Sequence, residues 1–159
     1  MVDIARERAE DCWEVEALFD LCFAPGREAL SSYRLRDDVA PVSDLCLVAR
    51  DLDGTLAGAV RHWPVRVGWA EALLLGPIAV HPTRQGEGLA GQLIRASLEK
   101  AQALQWSRTM LVGDEPYYGR FGFHRLTGVE MPPPTNPGRV LGTGAWAGIT
   151  GRVTRWGAG

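Results

Sequence analysis

Residues 73–104, LLLGPIAVHPTRQGEGLAGQLIRASLEKAQAL, pass through three patterns in succession. Leu73 to Val80 is an apolar run of strand length, interrupted at Gly76-Pro77. Proline donates no backbone hydrogen bond, so this pair predicts a bulge where the strand stops pairing with one neighbour. His81 to Gly88 is polar and glycine-bearing, and reads as a loop. Apolar or small residues then recur at Leu89, Ala90, Leu93, Ile94, Ser97, Leu98, Ala101 and Leu104, the period of an amphipathic helix. A helix start leaves backbone N–H groups without partners and carries the positive end of the dipole. With glycines beside it, a bulky anion can approach closely. The stretch therefore predicts a phosphate-binding site.

Two kinds of protein use such a site. Gly86-Glu87-Gly88-Leu89-Ala90-Gly91 spells the dinucleotide fingerprint G-x-G-x-x-G, and Asp114 follows the next apolar run, Thr109 to Val112, where a ribose-binding acid would stand. The fingerprint puts its first glycine at the strand's end, whereas here His81 to Gln85 intervene. A doubly wound sheet also needs a continuous central strand, and the Pro- and Gly-rich remainder after Asp114 is too short to complete one. A dinucleotide-binding domain is the disfavoured reading.

The alternative accounts for more of the chain. Gln85-Gly86-Glu87-Gly88-Leu89-Ala90 resembles the acyl-CoA loop of the GNAT superfamily of N-acetyltransferases, [Q/R]-x-x-G-x-[G/A]. Gly76 to Pro82 is similar to that family's split fourth strand and its exit, and Tyr117-Tyr118-Gly119-Arg120-Phe121-Gly122-Phe123-His124 to its aromatic-Tyr-x-x-x-Gly-Phe element. The resemblance is strong from Leu73 to His124 and looser elsewhere. It implies an α/β fold whose mixed central sheet, flanked by helices, is split into a V at the fourth strand.

Length and composition agree with one domain spanning residues 1–159. A chain of 159 residues with 46% hydrophobic residues can bury a real core. The net charge of −2 and the lack of any long basic run argue against a nucleic-acid surface. No apolar stretch approaches the roughly 20 residues that span a bilayer. The opening MVDIARERAEDCWEVE is charged throughout, unlike a secretory leader. Cys12, Cys22 and Cys46 are odd in number and lack C-x-x-C spacing, which favours reduced thiols and a cytoplasmic protein.

From the start of the chain, Val2 to Arg8 reads as a strand. Asp11 then caps a helix with apolar residues at Val15, Leu18, Phe19, Cys22 and Phe23, which Pro25-Gly26 stops. Arg27 to Ala40 reads as a short helix and loop that, by the resemblance, lies over the acceptor site. Leu45 to Trp69 reads as a hairpin turning at Asp51-Leu52-Asp53-Gly54. Its His62, Trp63, Arg66 and Trp69 are expected on a half-exposed sheet face rather than in an acceptor site. Thr109 to Gly113 makes the strand after the helix, and the Pro-rich stretch from Gly128 leads to a closing run, Trp146 to Trp156. A sheet edge of that kind can also form a homodimer.

The resemblance further implies acetyl-CoA as cosubstrate, no metal, and a primary amine of a small molecule or peptide as acceptor. Ile78, Ala79 and Val80 would meet the pantetheine arm through their backbone, with an N–H there as oxyanion donor. Gln85, Gly86, Glu87, Gly88, Leu89, Ala90 and Gly91 would wrap the pyrophosphate, with Glu87 turned to solvent and Arg84 offsetting its charge. Tyr118 would protonate the leaving thiolate, Tyr117 would pack beneath the cofactor, and Phe121 and Phe123 would be core. Many members carry a basic carboxylate on the split strand. None lies within Leu73 to Val80, so Glu71 is the nearest candidate. His81-Pro82 is expected to shape the loop exit, and His62 and His124 stand alone, without metal-ligand spacing. The missing strand carboxylate leaves a second reading, an acyl-CoA-binding module without catalysis.

Overall fold

The computed structural model describes residues 2–23 and 31–157, with only the backbone of residue 31. Pro25-Gly26 and the first residues of the expected second helix fall outside them. Nine strands are joined by pairing: β1 (Val2–Arg6), β2 (Leu47–Asp51), β3 (Leu56–Val67), β4 (Ala70–Val80), β5 (Arg108–Val112), β6 (His124–Arg125), β7 (Val129–Glu130), β8 (Val140–Gly144) and β9 (Gly151–Arg155). The main path runs β1-β2-β3-β4-β5-β8-β6, and β9 pairs with the end of β3 and with β7. Neighbours along the main path are antiparallel except β4 and β5, which are parallel because a helix connects them.

That helix is α3 (Leu89–Ala103). Leu89, Leu93, Ile94, Ser97 and Ala101 are buried along one stripe, and Leu93 and Ile94 join Val60, Leu75, Leu111, Phe123 and Leu141 in one core. Burial of each such aliphatic side chain contributes about 2 kcal/mol. Gln105, at φ 67, ends the helix, and the Trp106 N–H turns back to the Ala101 carbonyl at 3.0 Å. Leu104, expected on the apolar face, is left half-exposed by that turn.

Helix α1 (Cys12–Cys22) covers the opposite face, where Val15, Leu18 and Phe19 pack on Val48, Leu56, Ala59 and Ala79. Asp11 stands at its N-cap but makes no side-chain cap bond. Its carboxylate instead accepts from the Arg8 N–H and from Arg50. Arg61, buried in β3, ties the layers together through a two-bond pair with Glu7 and a bond to Glu16. Two short helices complete the layers, α2 (Ser31–Arg34) and α4 (Glu115–Tyr118).

The hairpin's half-exposed face needs correcting. Trp69 is exposed and Arg66 and Trp63 are partly buried, but His62 is fully buried with both ring nitrogens lacking hydrogen-bond partners. The strands flanking it are covered by α3, a tertiary fact invisible to local patterning. Strand β8, unmarked by any apolar alternation in its sequence, lies inside the sheet, between β5 and β6. The closing run is shorter than expected: only Gly151 to Arg155 is strand, and it covers the part of β3 that β2 leaves unpaired.

Candidate active site at the split in the sheet

Strands β4 and β5 pair only at Leu73–Thr109 and Leu74–Met110, then separate. On its other side β4 stays with β3, but the register jumps from His62–Leu75 to Val60–Ile78. Gly76 and Pro77 thus face the single residue Arg61, the bulge foreseen from their sequence. Beyond it, the edge of β4 that looks toward β5 is open.

The ladder decides which backbone groups face that opening. The His81 N–H donates to the Ala57 carbonyl at 2.8 Å, and Val80 pairs with Gly58. Hydrogen-bonded and non-bonded pairs alternate along an antiparallel ladder. Ala79 therefore bonds across to Ala59, while Ile78 and Val80 turn their N–H and C=O groups away from β3. The Cys22 thiol donates to that Val80 carbonyl at 3.4 Å. Of the residues expected to present backbone, Ile78 and Val80 do so; Ala79 spends its groups on the sheet.

At the end of β4, His81 and Pro82 shape the exit as expected: the His81 Nδ1 accepts from the Thr83 N–H at 3.2 Å. Gly86 and Gly88 have left-handed φ values of 87 and 80, and a Cβ at either would meet nothing within 4 Å. Gly88 is the N-cap of α3 and no side chain caps the helix, so its first N–H groups front open space. Gln85, Gly86, Gly88, Leu89 and Ala90 line one cavity of about 580 Å³ with Ile78, Ala79 and Val80. Gly91 is buried behind this lining. Glu87 is exposed, but its carboxylate is clamped by Arg84, whose guanidinium also binds Asp51. The bond from Arg84 holds the Glu87 carboxyl below its ordinary range.

Across the gap, α4 carries the tyrosines. The Tyr117 and Tyr118 N–H groups both donate to the Asp114 carbonyl, at 3.1 and 2.9 Å. The Tyr118 ring packs at right angles to Tyr117 (4.9 Å between centroids) and edge-on to buried Phe123 (6.2 Å). Burial, helped by Tyr117 and Asp114, raises the phenol above its ordinary value. It therefore keeps its proton at neutral pH. Phe123 is core, and Phe121 is only partly buried beside it.

A second cavity, about 360 Å³, lies on the other side of the strand opening, lined by Leu74 to Ile78, Leu111 to Asp114, Tyr33 and Arg36. Ile78, Tyr117 and Tyr118 border both cavities. Glu71 borders neither. It sits near the start of β4, exposed and 4.0 Å from Arg66, about seven residues of strand from Ile78, or roughly 23 Å. The structure does not bring it to the tyrosine.

Besides Arg36, three charged residues that sequence reasoning did not assign to the site border these cavities. Arg120 lines the first, stacked over the Tyr117 ring at 4.5 Å and free of ion pairs among the described residues. Its three-residue spacing from Tyr117 was the available signal. Asp114 and Arg139 line the second. Arg139 arrives through long-range pairing, its carbonyl accepting the Gly113 N–H at 2.8 Å. Among the described residues no group of His, Cys, Asp and Glu is arranged to hold a metal ion.

Comparison with known proteins places this geometry. Residues 3–126 match the model of the acetyltransferase (GNAT) domain family. The chain is 33% identical over 147 residues to the N-acetyltransferase YhbS of Escherichia coli K12, covering 87% of each. The crystal structure of YhbS in complex with CoA aligns with a TM-score of 0.84 at 28% identity, over 97% of this chain and 89% of that one. A GNAT family acetyltransferase from Brucella melitensis, solved with acetyl-CoA, aligns at 0.68 and 30% identity, over 91% and 97%. A dinucleotide fold is set aside by the same architecture, since the strand before the glycine loop has an antiparallel neighbour and a parallel one it leaves after two residue pairs. The family match spans most of the sequence and takes in the split strand, the glycine loop and the tyrosine turn: the chain belongs to the GNAT acetyltransferases.

Proposed function

We propose that the protein transfers an acetyl group from acetyl-CoA to a primary amine of a small molecule or peptide. The observation that carries this reading is the meeting of two cavities at Ile78 and Tyr118, through the opening between β4 and β5. One cavity has the exposed N–H groups of a glycine loop and helix start, which suit a pyrophosphate. The other is the side from which an acceptor would enter. The complexes of the two relatives with CoA and acetyl-CoA support the same assignment.

When bound, acetyl-CoA supplies an acyl group activated as a thioester. Gln85 to Gly88, Leu89 and Ala90 would hold its phosphates, with Arg120 as an added cation. Ile78 and Val80 would present backbone to its arm, and an N–H there would meet the developing oxyanion. Tyr118 holds its proton at Oη, within a partly buried aromatic cluster, ready for the departing sulfur. Glu71 has no part in this scheme. The described strands pair into a connected set, which supports reading residues 1–159 as a single acyltransferase domain. Three free cysteines support a cytoplasmic setting.

The test is thiol release from acetyl-CoA with a panel of amines. Turnover with at least one amine is expected. Tyr118→Phe should then lower kcat about 100-fold while KM for acetyl-CoA stays within about twofold. Binding of acetyl-CoA without turnover of any amine would favour the catalytically idle module. A Tyr118→Phe enzyme with the wild-type kcat would remove the tyrosine from the chemistry.

A further inference from the structure

The acceptor cavity carries two exposed side chains of opposite charge. Arg139 and Asp114 both line it, and neither makes an ion pair or a side-chain hydrogen bond with any described residue. They are held close, since the Gly113 N–H bonds the Arg139 carbonyl at 2.8 Å, yet they do not pair with each other. Most arginines elsewhere in the molecule are committed: Arg50, Arg61 and Arg84 each bind two acidic side chains. Arg36 adds a second guanidinium to the cavity wall, stacked on the Tyr33 ring at 3.7 Å. Both Asp114 and Arg139 stand near enough to Tyr118 to act on its phenol in opposite directions, beside the larger effect of burial.

An unpaired cation and an unpaired anion bordering one small cavity are the electrostatic complement of a ligand with one charge of each sign. A plain alkylamine would satisfy Asp114 and leave Arg139 without a partner. A polyamine would meet Arg139 with like charge. Resting on the acetyltransferase reading, we propose that the acceptor is a small primary amine that itself carries a carboxylate. Arg139 holds the carboxylate by charge-assisted hydrogen bonds, and Asp114 receives the ammonium group on the side of the opening. For transfer, the ammonium proton passes to Asp114 or solvent. The nitrogen forms its bond to the acyl carbon as the C–S bond breaks, the thiolate takes the Tyr118 proton, and the second proton lost by the nitrogen returns, through solvent, to the tyrosinate. The cavity, about 360 Å³, accommodates an acceptor of that size.

The experiment measures thiol release with amino carboxylates of increasing chain length, each beside its own carboxamide, and with linear diamines. The expected result is a kcat/KM for the preferred carboxylate about tenfold or more above its carboxamide. Arg139→Gln should abolish that preference by lowering the carboxylate value alone, and Arg139→Lys should restore part of it. KM for acetyl-CoA should stay unchanged in both, which separates a specificity role from damage to the fold. Carboxamides or diamines turned over as well as the carboxylates would overturn the proposal and leave acetyl transfer standing. So would a protein that binds acetyl-CoA and acetylates neither group. Failure to bind acetyl-CoA at all would overturn the acetyltransferase reading along with it.

Discussion

A Cβ placed on Gly113 would stand 2.5 Å from Cε2 of Tyr118 and 2.9 Å from Cδ1 of Leu111, closer than real contacts allow. Gly113 does not need glycine for its backbone angles; it needs it for the space the tyrosine ring occupies. Gly113→Ala should push the Tyr118 ring out of place and lower kcat by about tenfold or more, because small misplacements of a reacting group cost rate steeply. KM for acetyl-CoA should change less, since Gly113 borders the second cavity and not the one beside the glycine loop. Steady-state kinetics of the variant provide the check, and an unchanged kcat would mean the ring position is not critical. The place of Tyr118 at the opening was legible from its position in an aromatic motif. The place of Arg139 was not: it follows Pro137-Gly138 with no local motif around it, and only the pairing of β8 with β5 brings it to the opening. Glu71 failed as a candidate for a related reason. Nearness in sequence to the split strand means little when each strand residue adds about 3.3 Å of distance.

Element by element, the stretch from Leu73 to Ala103 was the most readable, because strand, loop and helix each have a local signature there. The bulge at Gly76-Pro77, the end of the loop at Gly88 and the helix stripe as far as Ala101 appear as expected. Strand β3 was readable in extent but misjudged in burial, since what covers a strand is decided by distant elements. His62 shows the consequence. Burial alone pushes its ring down to about 3, against an ordinary value of 6.5, so the ring is neutral in the folded chain. In the unfolded chain it takes a proton near pH 6.5. Between these values the unfolded state binds the extra proton, so the stability this neutral ring permits is full above pH 6.5 and lost as pH falls toward 3. The loss from pH 7 to pH 5 should be about 2 kcal/mol, measured as a lower urea midpoint. His62→Leu removes both the titration and two unpartnered ring nitrogens. It should flatten that pH dependence. A wild-type midpoint that does not move between pH 7 and pH 5 would contradict the account.

On the scale of the whole molecule, a chain of net charge −2 has to attract a polyanion, and local geometry must overcome the overall sign. The glycine loop offers N–H groups rather than cations for this. Its arginine, Arg84, is taken up by Asp51 and Glu87, which leaves Arg120 as the cation of that cavity without a carboxylate. The sheet makes the opening possible by two long-range acts. Strand β8 holds the far side of β5, so β5 can leave β4 without losing its own pairing, and β9 closes the end of β3. The closing strand was legible as a run within Trp146 to Trp156, though longer than it is, whereas β8 was not, since glycines break its short pattern. The claim on which the rest depends is that the loop from Gln85 to Gly91 serves an acyl-CoA and not a dinucleotide. Thermal unfolding in the presence of acetyl-CoA, free CoA or NADH tests it most directly. Acetyl-CoA and CoA should raise the midpoint in proportion to the logarithm of their concentration while NADH leaves it unmoved. A rise with NADH and none with either CoA ligand would contradict the account.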